Sequence, residues 1–109
     1  MLLGSDSTWD RQLLAAINRV IHEPARLAIL AQLICDGGTD FLSLERRTGL
    51  TRGNLSSHLS RLEAAGYVDV EKKFVEKTPR TLLRMTDIGR EAFRLYRQNM
   101  TQLLGKLPD

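Results

Sequence analysis

Between Thr39 and Arg84 the chain sets out, in order, a short helix, a glycine turn, a second amphipathic helix rich in serine, and a basic pair of strands. No other stretch of the 109 residues constrains the fold as much, because it dictates two helices across a tight turn followed directly by a hairpin. The first of these helices is expected from about Asp40 to Thr48. Gly49 then supplies the left-handed residue with which many helices end, and Leu50 the apolar contact that accompanies such an end. Thr51 opens the second helix. Its hydroxyl is a good N-cap, although Asn54 stands where a full capping box prefers Glu or Gln.

From Thr51 to Ala65, Leu55, Leu59 and Leu62 recur at i, i+4 and i+7 and set one apolar stripe toward a core. The opposite side carries Gly53, Ser57, Ser60 and Ala64, with Asn54 and Arg61 on one shoulder and Ser56 on the other. A merely solvated helix favours Glu and Lys there, because those residues suit helices and form i,i+4 pairs. Small hydroxyl and amide groups instead permit close approach and bond phosphates or base edges. Arg52 and Arg61 add charge at the two ends. Taken alone, this helix also reads as a plain serine-rich surface element.

The strands that follow decide between those readings. Tyr67 to Val70 alternates after Gly66, and Thr81 to Met85 is its expected partner, with Val68, Val70, Leu83 and Met85 facing inward. Five basic residues (Lys72, Lys73, Lys77, Arg80, Arg84) stand between Glu71 and Arg84 against Glu71 and Glu76, so this stretch matches the whole chain's net charge of +3. A local basic excess beside a polar helix is the electrostatic footprint of a polyanion. Charged edge strands also resist aggregation, which accounts for Lys72 and Lys73 but not for their pairing with this helix.

The runs His22–Leu33, Leu44–Phe74 and Pro79–Phe93 resemble the small winged-helix transcriptional regulators of the MarR/ArsR superfamily. The resemblance extends from about Asn18 to Leu95, and its most specific part is the pattern from Leu50 to Val68. It implies a mainly α fold with a small β hairpin (α+β), a winged helix-turn-helix with additional N- and C-terminal helices. Helix 51–65 would lie in the major groove, and the basic wing 72–81 on the backbone or in the minor groove. The DNA-binding residues expected on these positions are Arg52, Asn54, Ser56, Ser57, His58, Ser60 and Arg61 on the helix, and Lys73, Lys77, Thr78 and Arg80 on the wing. Two departures stand out. Glu23 precedes Pro24 where relatives often carry a small capping residue, and Glu76 stands near the wing tip where relatives often use glycine.

The flanking segments bear on assembly. From Thr8 to Ile21, an apolar stripe of Trp9, Leu13, Leu14, Ile17, Val20 and Ile21 predicts a helix that Pro24 closes while opening the next. That next helix runs to about Cys35, with Leu27, Leu30, Ala31 and Ile34 as its core face and Asp36–Gly38 as its stop. The last helix, 86–107, is capped by Thr86 and puts Ile88, Ala92, Leu95, Tyr96, Met100 and Leu103 on one broad face, with Phe93, Leu104 and Leu107 nearby. So much apolar surface on two terminal helices is resolved by mutual burial in a two-fold dimer. The residues expected at that seam are Trp9, Leu13, Ile17, Phe93, Leu95, Tyr96, Met100, Leu103 and Leu104. The simpler alternative is that both helices pack only on their own core.

Length fits one domain, 1–109, with an N-terminal helix at 8–21, a winged-helix core at 24–85 and a dimerisation helix at 86–107. Nothing approaches a membrane span, and Met1–Gly4 lacks the charged start of a secretory signal, so the expected location is cytoplasmic. The lone Cys35 reads as a small buried hydrophobe in a reducing compartment. Ser57 and His58, adjacent on a helix, point about 100° apart and cannot form a nucleophile–base pair, so no catalytic residue and no enzyme are expected. Some ArsR-type relatives sense metals, but Cys35, His22 and His58 have no ligand spacing, so neither metal nor cofactor is expected. The partners expected are double-stranded DNA and a second copy of the chain, with no membrane and with no small-molecule effector indicated. The contrasting reading is a winged-helix protein-interaction module, which would more often expose apolar residues on the wing.

Overall fold

A computed structural model of the chain describes residues 7–108, with side chains from Arg11 onward. The expected seam residue Trp9 therefore has its side chain outside the described part. The order of elements is α1 (Ser7–Ala16), α2 (Pro24–Asp36), β1 (Thr39–Asp40), α3 (Phe41–Thr48), α4 (Arg52–Ala64), β2 (Val68–Val75), β3 (Thr78–Met85) and α5 (Asp87–Gly105). The three strands form an antiparallel sheet in the order β1-β3-β2. Among the described residues, no helix is long and apolar enough to cross a membrane.

Helices α2, α3, α4 and α5 each start where a side-chain acceptor meets orphan backbone donors. Glu23 Oε1 accepts from Arg26 N at 2.8 Å, Asp40 Oδ1 from Ser43 N at 2.8 Å, Thr51 Oγ1 from Asn54 N at 3.2 Å and Thr86 Oγ1 from Gly89 N at 2.9 Å. Gly49 ends α3 at φ 71°, a left-handed conformation that a residue with a Cβ adopts only with strain, and its N–H returns to Glu45 O as the chain turns into α4. The core joins Ile29, Leu30 and Leu33 of α2, Leu44 of α3, the three leucines of α4, Val68, Leu83 and Met85 of the sheet, and Tyr96 of α5. Each large aliphatic side chain so buried contributes about 1.5–3 kcal/mol against exposure.

Several expectations need correction. The first helix ends at Ala16 rather than Ile21, because Asn18 Oδ1 accepts from Val20 N and Ile21 N at 3.0 and 3.1 Å and folds 17–23 into a turn. Pro24 therefore opens α2 but does not close α1. On α2 the buried face is Arg26, Ile29, Leu30 and Leu33, whereas Ala31 and Ile34 are exposed and Leu27 is half-buried. The helix is apolar nearly all round, so two stripes sharing Leu30 fit its periodicity equally well. Cys35 is exposed, not buried, since it follows Ile34 on the outward side of the last turn.

The sheet departs from expectation too. Strand β1, two residues pairing Thr39 with Leu83 and Asp40 with Leu82, is too short to show any alternation in sequence. Strand β2 runs five residues past Val70 and β3 begins three residues before Thr81, because Lys72↔Thr81, Lys73↔Arg80, Phe74↔Pro79 and Val75↔Thr78 continue the ladder beyond the core. Only Glu76 and Lys77 form the turn, with φ of 52° and 66°. Two consecutive left-handed residues match the twist of a two-residue hairpin, a geometry more often taken by Asn-Gly.

Candidate nucleic-acid interface

Helix α4 has one buried face and one exposed face. Leu55, Leu59 and Leu62 are buried, and Arg52, Gly53, Asn54, Ser56, Ser57, Ser60 and Arg61 are exposed. A cleft of about 540 Å³ separates this helix from the hairpin. Arg52, Ser56, Ser60 and Glu63 form its α4 wall, Val70, Lys72, Pro79, Arg80 and Thr81 its hairpin wall, and Phe41, Leu42 and Leu59 contribute apolar surface. Three cations line it against the two carboxylates of Asp40 and Glu63, so the cleft combines small hydroxyls with a positive rim.

The hairpin's expected contacts Lys73, Lys77, Thr78 and Arg80 are all exposed. Arg80 also reaches back to Asp40 Oδ2 at 3.4 Å, which anchors the wing to the cap of α3. The Ser43 backbone donor, aided by Arg80 and Arg46, holds the Asp40 carboxyl below its ordinary pKa. Arg52 stands 3.8 Å from Glu45, and Lys73 4.0 Å from Glu71; both are surface pairs that bind their cations weakly and leave them available.

His58 stands apart from the other expected contacts. It is half-buried on the side of α4 away from the hairpin, with Nδ1 3.1 Å from Arg26 Nη1 and 3.9 Å from Glu23 Oε1. Arg26 is only 8% exposed, and its remaining nitrogens meet Val20 O at 2.5 Å and Arg19 O at 3.4 Å. The Arg26 backbone donor holds the Glu23 carboxyl below its ordinary pKa, with help from the Arg26 charge. Thus one guanidinium ties the 17–23 turn and the start of α2 to α4. Sequence reasoning missed Arg26, whose only signal is a charge at the third position of a mostly apolar helix. It also missed Glu63 and Leu42, which become part of the cleft only through the fold.

Of the residues expected at a dimer seam, Leu13 and Tyr96 are buried within their own chain, and Tyr96 OH lies 2.9 Å from His22 Nδ1. Ile17, Phe93, Met100 and Leu103 are half-buried, while Leu95 and Leu104 are exposed, the latter to 56%. Leu14, Ile88 and Leu107 are exposed as well. Asn99 Nδ2 donates to Ala16 O at 3.3 Å, which brings the end of α1 against α5.

The profile of a family described as a winged helix DNA-binding domain matches residues 25–104. An uncharacterized protein of Methanocaldococcus jannaschii is 33% identical over 85 residues, covering 78% of this chain and 92% of that protein. Among solved structures, a transcriptional regulator homologue from Pyrococcus horikoshii superposes with a TM-score of 0.76 at 28% identity, over 87% of this chain and 92% of that one. The PcaV transcriptional regulator of Streptomyces coelicolor, solved with its natural ligand, gives 0.65 at 24% identity over 94% and 76% of the two chains, a likeness of fold alone.

Proposed function

The chain belongs to the family of winged helix DNA-binding domains, among MarR-like transcriptional regulators, and from that premise we propose that it is a homodimeric, sequence-specific regulator that reads double-stranded DNA. In this reading residues 1–109 act as one unit, with α4 in the major groove and residues 72–81 on the backbone or in the minor groove. The observation that carries it is the juxtaposition of the exposed serine face of α4 with the cationic hairpin across one cleft. A small polar helix face suits base edges, and Lys72, Lys73, Lys77 and Arg80 suit the flanking phosphates.

Two roles differ within the site. Asn54, Ser57 and Ser60 are the base-reading candidates. Thr51 takes only the backbone N–H of Asn54, which leaves its exposed carboxamide free for a base edge. Ser56, Arg52, Arg61, Thr78 and the wing cations are positioning contacts. His58, held by Arg26, supports α4 from the side and meets DNA only at the edge of the interface.

One observation favours the second reading, a protein-interaction module: the hairpin exposes Phe74 and Val75. Duplex binding as a function of salt separates the two. A dimer that neutralises roughly eight phosphates should show a slope of log K against log salt near −7, at about −0.9 for each. Absent binding at low salt, or binding indifferent to salt, would rule out the DNA reading.

A further inference from the structure

The ladder places Val68, Val70, Lys72 and Phe74 on one face of the hairpin, opposite Met85, Leu83, Thr81 and Pro79. At the base of that face Val68, Leu83 and Met85 are buried in the core. Further out, Val70, Lys72, Pro79 and Thr81 wall the cleft facing α4. Phe74 is the next position on this face, beyond the core and 74% exposed, more than any other large hydrophobic side chain among the described residues. An aromatic ring kept in water near a hairpin tip has no role in this chain's own packing, and its register puts it on the face of the hairpin that walls the cleft.

The surroundings indicate what the ring meets. Lys72 and Lys73 precede it and Lys77 and Arg80 follow, against Glu71 and Glu76, so the surface around Phe74 is cationic. A polyanion with apolar faces inside it fits that pattern better than an apolar protein patch does. From Lys72 to Val75 the strand gains about 10 Å, which carries Phe74 outward from the body of the protein toward the tip.

We propose that Phe74 is an apolar wedge that enters the minor groove beside the site read by α4, pressing on a base step while the neighbouring lysines hold the phosphates. The proposal rests on the DNA-binding reading above. Wedges of this kind partly unstack a step and kink the duplex by about 20–90°. Phe74 would then select deformable steps without forming a hydrogen bond to any base.

The test uses the full chain and a duplex that the wild-type protein enriches from a random-sequence pool. Affinity is followed by anisotropy across a salt series, and the bend by energy transfer between the duplex ends. Phe74→Ala should lose about ten-fold in affinity at every salt concentration, the scale of one buried aromatic, with an unchanged salt slope and a straightened duplex. Phe74→Leu should recover most of both, whereas Lys77→Ala should lower the slope and keep the bend. Equal melting temperatures would show that the exposed ring is not needed for folding. Unchanged affinity and bend in Phe74→Ala would overturn the proposal, as would a wild-type self-association that this variant abolishes while binding DNA normally. Either result would leave the DNA-binding reading standing; a wild-type chain that enriches no duplex would remove both.

Discussion

Arg26 Nη1 lies 3.1 Å from His58 Nδ1, so a buried cation at the start of α2 braces the helix that faces the cleft. With Arg26 as donor, Nδ1 must accept, which puts the ring proton of neutral His58 on Nε2. The same guanidinium satisfies Val20 O and Arg19 O in the turn that follows α1. One side chain therefore joins the turn that follows α1 to α4.

Replacing Arg26 by Met leaves two backbone carbonyls and the His58 ring short of a donor. The expected loss is about 2–4 kcal/mol of stability in urea denaturation, and Arg26→Lys should restore only part of it because an ammonium cannot reproduce the planar fork. A double-mutant cycle with His58→Ala should show coupling of about 0.5–3 kcal/mol. Additive effects would mean that the two residues act separately.

Glycines separate stability from function in this fold. A Cβ on Gly89 would clash with Tyr67 O, where α5 crosses the residue before β2, so Gly89→Ala should cost about 1–3 kcal/mol or displace the helix. Gly53, by contrast, has nothing within 4 Å and lies on the exposed face of α4. Gly53→Ala should stabilise the free protein by roughly 0.5–1 kcal/mol while weakening duplex binding, because the added methyl stands where close approach is required. Tighter or unchanged DNA affinity in this variant would remove Gly53 from the interface.

Acid should weaken the fold through its caps. The pKa values of Asp40 and Glu23 are both lowered, chiefly by backbone N–H donors, so on acidification the unfolded chain takes up protons before the native one. Their stabilisation is in place above the ordinary carboxylate pKa of about 4 and is lost as pH falls through the lower folded values. Asp40→Asn keeps a capping oxygen but removes the titration, so it should flatten the stability profile below about pH 4. An identical acid profile in wild type and Asp40→Asn would show that the cap charge does not matter.

Much of the fold was legible because local chemistry and tertiary demand agree. Thr51, Gly49 and Thr86 act where their residue types suggest, and Leu55, Leu59 and Leu62 form a stripe with only one reading. Where two readings fitted, sequence could not choose: α2 is apolar on nearly every side, and its buried face was set by how α3 and α4 pack on it. Strand β1 and the Arg26–His58 contact come from pairings between distant residues, 39 with 83 and 26 with 58, that leave no periodic trace. The exposed serine face of α4 and the basic hairpin, which wall the cleft, were both legible in sequence. The cleft's Leu42 and Glu63 surfaces were not, because they depend on the angle between α3 and α4.

Assembly gives the last prediction. Leu95 and Leu104 remain exposed on α5, with Leu14 on α1 and half-buried Met100 and Leu103 nearby. If these surfaces meet in a two-fold dimer, the two α4 helices are held on a fixed scaffold and should enter successive major grooves about 34 Å apart, on an inverted repeat. Leu104→Glu is the better probe than a change at Tyr96, because Leu104 is 56% exposed whereas Tyr96 is buried in its own core. The charge would be harmless on a monomer but unpaired at a seam, disfavouring association by several kcal/mol. Affinity for a full site should collapse with it, since each half-site loses the effective concentration supplied by its partner, while the melting temperature of the dilute chain stays near that of the wild type. Sedimentation at micromolar protein distinguishes the outcomes: a wild-type chain that is monomeric both free and on DNA would overturn the dimer and the symmetry expected of its site.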